Sequence, residues 1–218
     1  MAAMKRLNQA DRIVRSGGWR NDDFQSTLVR GKTIAIFGFG RIGSEIAKRL
    51  QGWGVRIVAY DPYAKPDAFQ EFGVERCGTL NEILDQADVL SLNAVLTDET
   101  RHIIGEGQLR RLKKTALVIN TARGELIDEK ALIRALQEGW IAGAAMDVYE
   151  KEPLEPSSEL RKLNNVTLTP HMASIIPEIA RLLRFTAMEN ALSALRGEVP
   201  KYVKNPEVIE RWVWRFGK

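Results

Sequence analysis

The chain of 218 residues has a single cysteine, Cys77, and two histidines, His102 and His171. One thiol forms no internal disulfide, so the fold must rest on packing, as suits a reducing compartment. These three residues lie far apart in sequence, with no His/Cys cluster at metal-ligand spacing, and no metal centre is expected. Long apolar runs are missing too. No stretch reaches the ~20 residues that cross a bilayer. Lys5, Arg6, Asp11, Arg12 and Arg15 punctuate the start, which excludes a signal peptide from the expectation. The expected location is therefore cytoplasmic, with no membrane partner. Blocks of one charge sign are also lacking. The 32 Lys and Arg are interspersed with 28 Asp and Glu, for a net charge of +4, a surface that argues against nucleic acid as a partner. There is no internal repeat and no low-complexity segment.

What is present is a chain 44% hydrophobic and 28% charged, enough apolar content for a core and enough charge for a solvated surface. Short β-branched runs recur at 33–37, 55–60, 74–76, 89–94, 116–120, 141–146 and 166–168. Helical patterns separate them. Ile42, Ile46, Ala47 and Leu50 share one helix face that ends at Gly52, and Thr79 with Glu82 makes a capping box before Ile83 and Leu84. Asp128 caps a helix with Leu132, Ile133 and Leu136 facing inward, ended by Gly139. The alternation predicts an α/β fold of Rossmann type, a doubly wound parallel sheet with an N-terminal helical arm and a long C-terminal helix. The expected divisions are an arm over 1–30, a dinucleotide-binding domain over 31–174, and a helix and polar tail over 175–218. In the last, Ile179, Leu182, Leu183, Ala187, Asn190, Ala191 and Leu195 recur at helical spacing, which predicts an amphipathic helix.

Gly38-Phe39-Gly40-Arg41-Ile42-Gly43 follows the first run and opens the first helix. Gly38 permits a tight turn, Gly40 lets a pyrophosphate approach the backbone, and Gly43 lets the helix pack close to the sheet. A helix N-terminus there presents N–H groups and a partial positive charge. A lone G-x-G-x-x-G discriminates poorly. This one has the right strand before it, the right helix after it, and Asp61 at the end of the next run, where a carboxylate accepts bonds from a ribose diol and repels a 2′-phosphate. NAD is the expected cofactor. The bland alternative is a glycine turn with no ligand and an ordinary surface aspartate.

Ligands bind beyond the carboxyl ends of strands in such sheets, and Arg123, Asp147, Glu152 and His171 all fall there. Beside a nicotinamide, oxidation of a 2-hydroxy acid needs a base for the hydroxyl proton, a role a histidine fills near neutral pH. A neighbouring carboxylate orients the imidazole, and an arginine holds the substrate carboxylate and polarises the carbonyl. Each residue alone reads as a surface charge or a loop histidine; His102, in Thr100-Arg101-His102, reads as a solvated helix start. The shared location of Arg123, Glu152 and His171 carries the functional reading.

Four motifs in order resemble the D-isomer-specific 2-hydroxyacid dehydrogenases: the glycine segment from Gly31 to Gly43, Asn120-Thr121-Ala122-Arg123-Gly124, the run Met146-Asp147-Val148 through Glu152-Pro153-Leu154, and Thr169-Pro170-His171. The resemblance implies catalytic roles for Arg123, Glu152 and His171, and a 2-hydroxy or 2-oxo acid as substrate. For the cofactor it implies contacts from Gly38, Gly40, Arg41, Ile42 and Gly43 at the pyrophosphate and from Asp61 at the ribose. Thr121, Ala122, Asp147, Arg123 and His171 would lie about the nicotinamide. Thr100 is carried over from Leu96 to Thr100, a segment that departs from the family, which usually has proline at Val95 and often histidine at Asn93. The arm with Trp19 resembles a segment that pairs two NAD domains, so a homodimer is expected.

Family members begin with a substrate-binding lobe of roughly a hundred residues, the size of one small domain. About thirty residues precede the first strand here, so the expectation is a chain with catalytic residues and without a complete site, its last helix a remnant of that lobe's packing. The competing reading is a catalytically incomplete NAD(H)-binding or oligomerisation module. A basic nucleic-acid binder ranks last.

Overall fold

A parallel sheet covered on both faces needs strands that are apolar at nearly every position, and the β-branched runs supply them. A computed structural model describes residues 1–20 and 24–216. Positions 21–23 of the expected arm and 217–218 of the expected tail lie outside the described residues. Seven strands, β1 (Thr33–Phe37), β2 (Arg56–Tyr60), β3 (Glu75–Arg76), β4 (Val89–Leu92), β5 (Leu117–Asn120), β6 (Gly143–Met146) and β7 (Val166–Leu168), form one sheet in the order β3-β2-β1-β4-β5-β6-β7. Every pairing is parallel. The chain winds outward from β1 to β3, then returns to β4 on the other side of β1. That reversal opens a crevice between the carboxyl ends of β1 and β4, where such sheets bind ligands.

The period-two geometry of strands divides the core between the two faces. Ala35 and Phe37 pack with Ile83 and Leu84 of α4 (Leu80–Gln86), Leu109 of α5 (Glu106–Arg111), and Leu132 and Leu136 of α6 (Glu129–Gln137). Ile34 and Ile36 pack with Ala47 of α2 (Arg41–Leu50) and Phe69 of α3 (Pro66–Glu71) on the other. Met4, just before α1 (Leu7–Arg15), is buried in this second cluster, and its carbonyl accepts a bond from the Thr27 N–H at 2.8 Å. The arm is thus fastened to the sheet of its own chain.

The cap residues act as the sequence suggests, with one variation. The Asp128 carboxylate accepts from the Ala131 N–H at 3.0 Å, and the Thr79 hydroxyl accepts from the Glu82 N–H at 3.2 Å. Glu82 returns its bond to the N–H of Gly78, one residue before the cap, at 2.8 Å. The expected strand at 89–94 stops at Leu92, since the next residues must turn away past Gly38, which closes on the Ala94 backbone. The short helices α3 and α5 gave no readable period, having six residues each.

The chain divides into two units, Met1–His171 and Met172–Lys218. The second holds α7 (Pro177–Leu195) and α8 (Ile209–Phe216). Two expectations are corrected here. The tail read as merely polar contains α8, whose Ile209, Val213 and Phe216 recur at helical spacing. The long helix was expected to be amphipathic, yet none of its residues is buried, and Leu182, Leu183, Phe185, Met188 and Leu195 are all exposed. Its apolar residues are spread around the axis, so no single stripe forms. No helix of the described residues is long and apolar enough to cross a membrane.

Candidate functional site

β1 ends at Phe37, and the glycine segment turns the chain into α2. Gly38 has φ of +88°, and a Cβ on it would stand 2.4 Å from the Ala94 nitrogen, so both backbone and space require glycine. A Cβ on Gly43 would stand 2.3 Å from the Gly38 carbonyl oxygen, which is how closely the helix approaches the strand. Gly40 differs: a Cβ there would meet nothing within 4 Å. Its open side adjoins the first turn of α2, where Arg41 and Ile42 are exposed and the N–H groups have no partner within the helix. Phe39, not singled out from the sequence, holds the turn in place. It is 3% exposed and stacks on Phe69 at 4.6 Å between ring centroids, burial worth about 1.5–3 kcal/mol. A large apolar residue between two glycines was the available signal.

Asp61 follows β2. One of its oxygens accepts from the Phe39 N–H at 2.8 Å, and the other from the N–H groups of Tyr63 at 2.8 Å and Ala64 at 3.2 Å. It therefore ties the glycine turn to the turn after β2. A cavity of about 330 Å³ opens between the loops after β2 and β4, lined by Gly38, Tyr60, Asp61, Ala94, Val95 and Thr100 among others. The Thr100 hydroxyl donates to the Val95 carbonyl at 2.7 Å and accepts from the Thr97 N–H at 2.8 Å, so it also shapes this loop. Asn93, at the crevice, donates through Nδ2 to the hydroxyl of Ser91 at 3.1 Å, while its buried Oδ1 has no hydrogen-bond partner. Such an orphan costs about 1–3 kcal/mol. An accessible glycine, unpaired helix N–H groups, a carboxylate on a largely apolar cavity and an unsatisfied acceptor fit a dinucleotide.

The remaining site residues gather at the ends of β5, β6 and β7. Asn120, fully buried, donates to the Arg123 carbonyl at 2.8 Å and accepts from the Ala122 N–H at 3.0 Å. Its side chain thus closes the turn through Thr121 and Ala122 that presents Arg123, whose guanidinium is exposed and donates to the Ala122 carbonyl at 2.7 Å. This role of Asn120 was not read from the sequence; a buried amide at a strand end was its signal. Asp147, 4% exposed, accepts from the Thr169 hydroxyl at 2.5 Å, and its carbonyl accepts from the His171 N–H at 2.7 Å. His171 has φ of +51°, a left-handed conformation in which histidine is tolerated more than most residues.

That backbone turn aims the imidazole at Glu152: Nδ1 lies 2.7 Å from one carboxylate oxygen, and the other oxygen accepts from the Tyr149 N–H at 3.1 Å. Burial pushes the Glu152 carboxyl up, but the His171 and Tyr149 bonds and the charges of His171 and Arg123 outweigh it, holding it below the usual value near 4.5. A depressed carboxylate contributes stability that is present above the unfolded pKa and lost as pH falls through the folded one. Glu152→Gln is therefore expected to lower Tm near neutral pH, with the gap to the wild-type chain closing below about pH 4. A gap of unchanged size at pH 3, in melts followed by circular dichroism, contradicts this account.

A cavity of about 670 Å³ borders Glu152 and His171 but is completed by Leu154, Arg161, Leu168 and Pro170, not Arg123. His102, expected at a helix start, instead occupies a turn with φ of +51°, and its Nε2 pairs with Glu150 at 2.8 Å. α5 starts later, at Glu106.

A glycine turn at the reversal of a parallel sheet, with an acid–base pair at the same edge, defines a dinucleotide-binding domain. Residues 1–173 match the model of the D-isomer specific 2-hydroxyacid dehydrogenase NAD binding domain. The chain belongs to that family, and NAD is its cofactor. It is 45% identical over 214 residues to a glyoxylate reductase of Korarchaeum cryptofilum, covering 96% of this chain and 64% of that protein. It is 40% identical over 205 residues to a D-3-phosphoglycerate dehydrogenase of Methanocaldococcus jannaschii, covering 94% of this chain and 39% of the other. The crystal structure of a glyoxylate reductase from Paecilomyes thermophila superposes with a TM-score of 0.83 at 35% identity, over 91% of this chain and 60% of that one. The chain thus spans less than two thirds of the length of these relatives.

Proposed function

We propose that this chain is the cofactor-binding and acid–base portion of an NAD-dependent oxidoreductase acting on D-2-hydroxy acids and their 2-oxo counterparts. Bound NAD supplies a hydride acceptor, and NADH a donor, for C2 of the acid. Gly38, Gly40 and Gly43, with Arg41 and Ile42 at the start of α2, hold the pyrophosphate, and Asp61 and Thr100 stand on the adenosine side. Thr121, Ala122 and Asp147 position the nicotinamide end. Arg123 binds the substrate carboxylate or carbonyl oxygen, whose developing negative charge it stabilises. With Nδ1 of His171 committed to Glu152, Nε2 is the ring nitrogen that exchanges a proton with the C2 oxygen. Glu152 fixes the tautomer and the orientation of the ring.

The observation that carries this reading is the 2.7 Å bond between His171 and Glu152, with Arg123 close enough to help hold Glu152 low. Glyoxylate is the first substrate to test, because relatives at 42–45% identity are named glyoxylate reductases. NADH absorbance is followed with glyoxylate, hydroxypyruvate, pyruvate and phosphohydroxypyruvate. His171→Ala is expected to lower the rate about 10²- to 10⁴-fold, with NADH binding retained. A substitution that leaves the rate unchanged removes His171 from the chemistry.

A second reading has its own support. No residue of α7 is buried, and exposed apolar surface of this kind marks interaction sites. In that reading the chain is an NAD(H)-binding or oligomerisation module, homodimeric through the arm at 1–30 and the domain at 31–174. NADH binding without turnover on any of the four acids favours it.

A further inference from the structure

The loops on either side of the crevice are joined by a side-chain bond that the fold itself does not require. Tyr63 follows β2 and Glu99 follows β4, and both strands are neighbours of β1. The Tyr63 phenol donates to a Glu99 carboxylate oxygen at 3.0 Å. Both residues line the 330 Å³ cavity together with Asp61 and Gly38. The bond therefore crosses the crevice above the end of β1, on the adenosine side. Tyr63 is 81% exposed, so packing does not hold its ring there, and ordering it in one rotamer has an entropic cost.

We propose that Tyr63 and Glu99 form a clasp over the adenosine half of the cofactor, and that Glu99 is a second determinant against a 2′-phosphate. This rests on the NAD-binding reading above. The reason is a division of labour between two carboxylates. Asp61 accepts three backbone N–H bonds, which spread its charge over the two turns that it fastens. Glu99 accepts one bond, from a phenol, and keeps its acceptor capacity and most of its charge at the cavity mouth. A 2′-phosphate carries roughly −1.5 to −2 near neutral pH, so a ligand bearing one meets like charge from both walls. The Glu99 bond and charge, with smaller contributions from burial, Tyr60 and Asp61, raise the Tyr63 pKa, which keeps the phenol a donor across the pH range in which nucleotides bind.

The test is a fluorescence titration of the full chain with NADH and with NADPH. Glu99→Gln preserves an acceptor for Tyr63 and removes the charge. It is expected to tighten NADPH binding about five- to tenfold, the size of one screened charge interaction, and to leave NADH within about twofold. Tyr63→Phe keeps the charge and removes the clasp, and is expected to weaken both nucleotides by a similar two- to fivefold factor. A wild-type chain that binds neither nucleotide overturns the cofactor reading, and this inference with it. A wild-type chain that binds NADH, with NADPH binding unchanged in Glu99→Gln, overturns the inference alone. So does a Tyr63→Phe variant that shifts the NADH/NADPH ratio as far as Glu99→Gln does.

Discussion

Gly43→Ala is expected to abolish measurable NADH binding and to lower Tm by roughly 2–12 °C, whereas Gly40→Ala weakens binding with its Tm intact. The two glycines lie three residues apart in one motif, but they meet different surroundings. At Gly43 the added methyl would stand 2.3 Å from a backbone oxygen, Gly38 O, and 3.2 Å from Ile36 Cγ2. Neither the strand nor the turn can yield cheaply, so α2 must move away from β1. Overpacking of this kind costs about 1–3 kcal/mol, and each kcal/mol lowers Tm by roughly 2–4 °C in a chain of this size. The displaced helix no longer aims its first N–H groups at the phosphates, and an affinity loss of about 100-fold or more follows from losing several charge-assisted bonds. At Gly40 the methyl meets nothing within 4 Å, and its φ of −83° suits alanine. Stability should hold within about 0.5 kcal/mol. The methyl instead occupies the space a pyrophosphate needs, and NADH should bind at least about tenfold more weakly. Differential scanning fluorimetry and NADH titration on both variants check this. Equal losses of Tm in the two variants, or NADH binding unchanged in Gly40→Ala, refute the assignment of a packing role to one glycine and a contact role to the other.

The sheet was legible in the sequence because its central strands are buried on both faces, which writes runs of Val, Ile, Ala and Leu with few polar interruptions, such as Ser91 in β4; the edge strand β3, two exposed charged residues, left only a weak signal. All seven runs became strands, trimmed at their ends where the hydrogen-bond ladder stops. The places of the glycine motif and of the strand-end polar residues were legible for a related reason: each follows the carboxyl end of a strand that the apolar runs had already located. Less legible was anything held by contacts between distant segments. The bond from Asp61 to the Phe39 N–H, the closure of the Arg123 turn by Asn120 and the pairing of His102 with Glu150 join residues brought near only by the completed fold. A polar residue beside a glycine motif suggests a ligand; that the same carboxylate also holds two turns together is visible only in three dimensions. α7 shows the opposite failure. Its apolar residues resemble one face when picked out at intervals, but Leu182 with Leu183, then Phe185 and Met188, surround the axis, and selecting the residues that fit a stripe hid those that did not.

Gly124→Ala is expected to cost more stability than Gly43→Ala or Gly40→Ala. A Cβ at this position would lie 1.9 Å from the Tyr149 carbonyl carbon, 2.0 Å from its oxygen and 2.5 Å from the Glu150 nitrogen, a collision with main chain on three atoms at once. The turn carrying Arg123 and the loop leading to Glu152 meet back to back here, with no room for a side chain. Separating them strains a series of bonds: Tyr149 to the Met146 and Thr169 carbonyls at 3.2 and 2.9 Å, the Tyr149 N–H to Glu152 at 3.1 Å, and the Glu129 N–H to Glu150 at 3.0 Å. The expected cost is about 3 kcal/mol or more, at the upper end for overpacking, or roughly 6–12 °C in Tm. Gly107→Ala is the matched control. It makes the same chemical change inside α5, meets nothing within 4 Å, and should be neutral or stabilising by up to about 1 kcal/mol because alanine favours helix. The consequence for the site follows from the same geometry. Arg123 helps hold the Glu152 carboxyl low, so moving its turn away should raise the Glu152 pKa and weaken the pairing with His171. Urea unfolding of the two variants measures the stability difference, and NMR titration of the His171 ring reads the coupling to Glu152. A Gly124→Ala chain that melts within about 2 °C of the wild type would falsify the close approach of these two loops as the contact that assembles the acid–base pair.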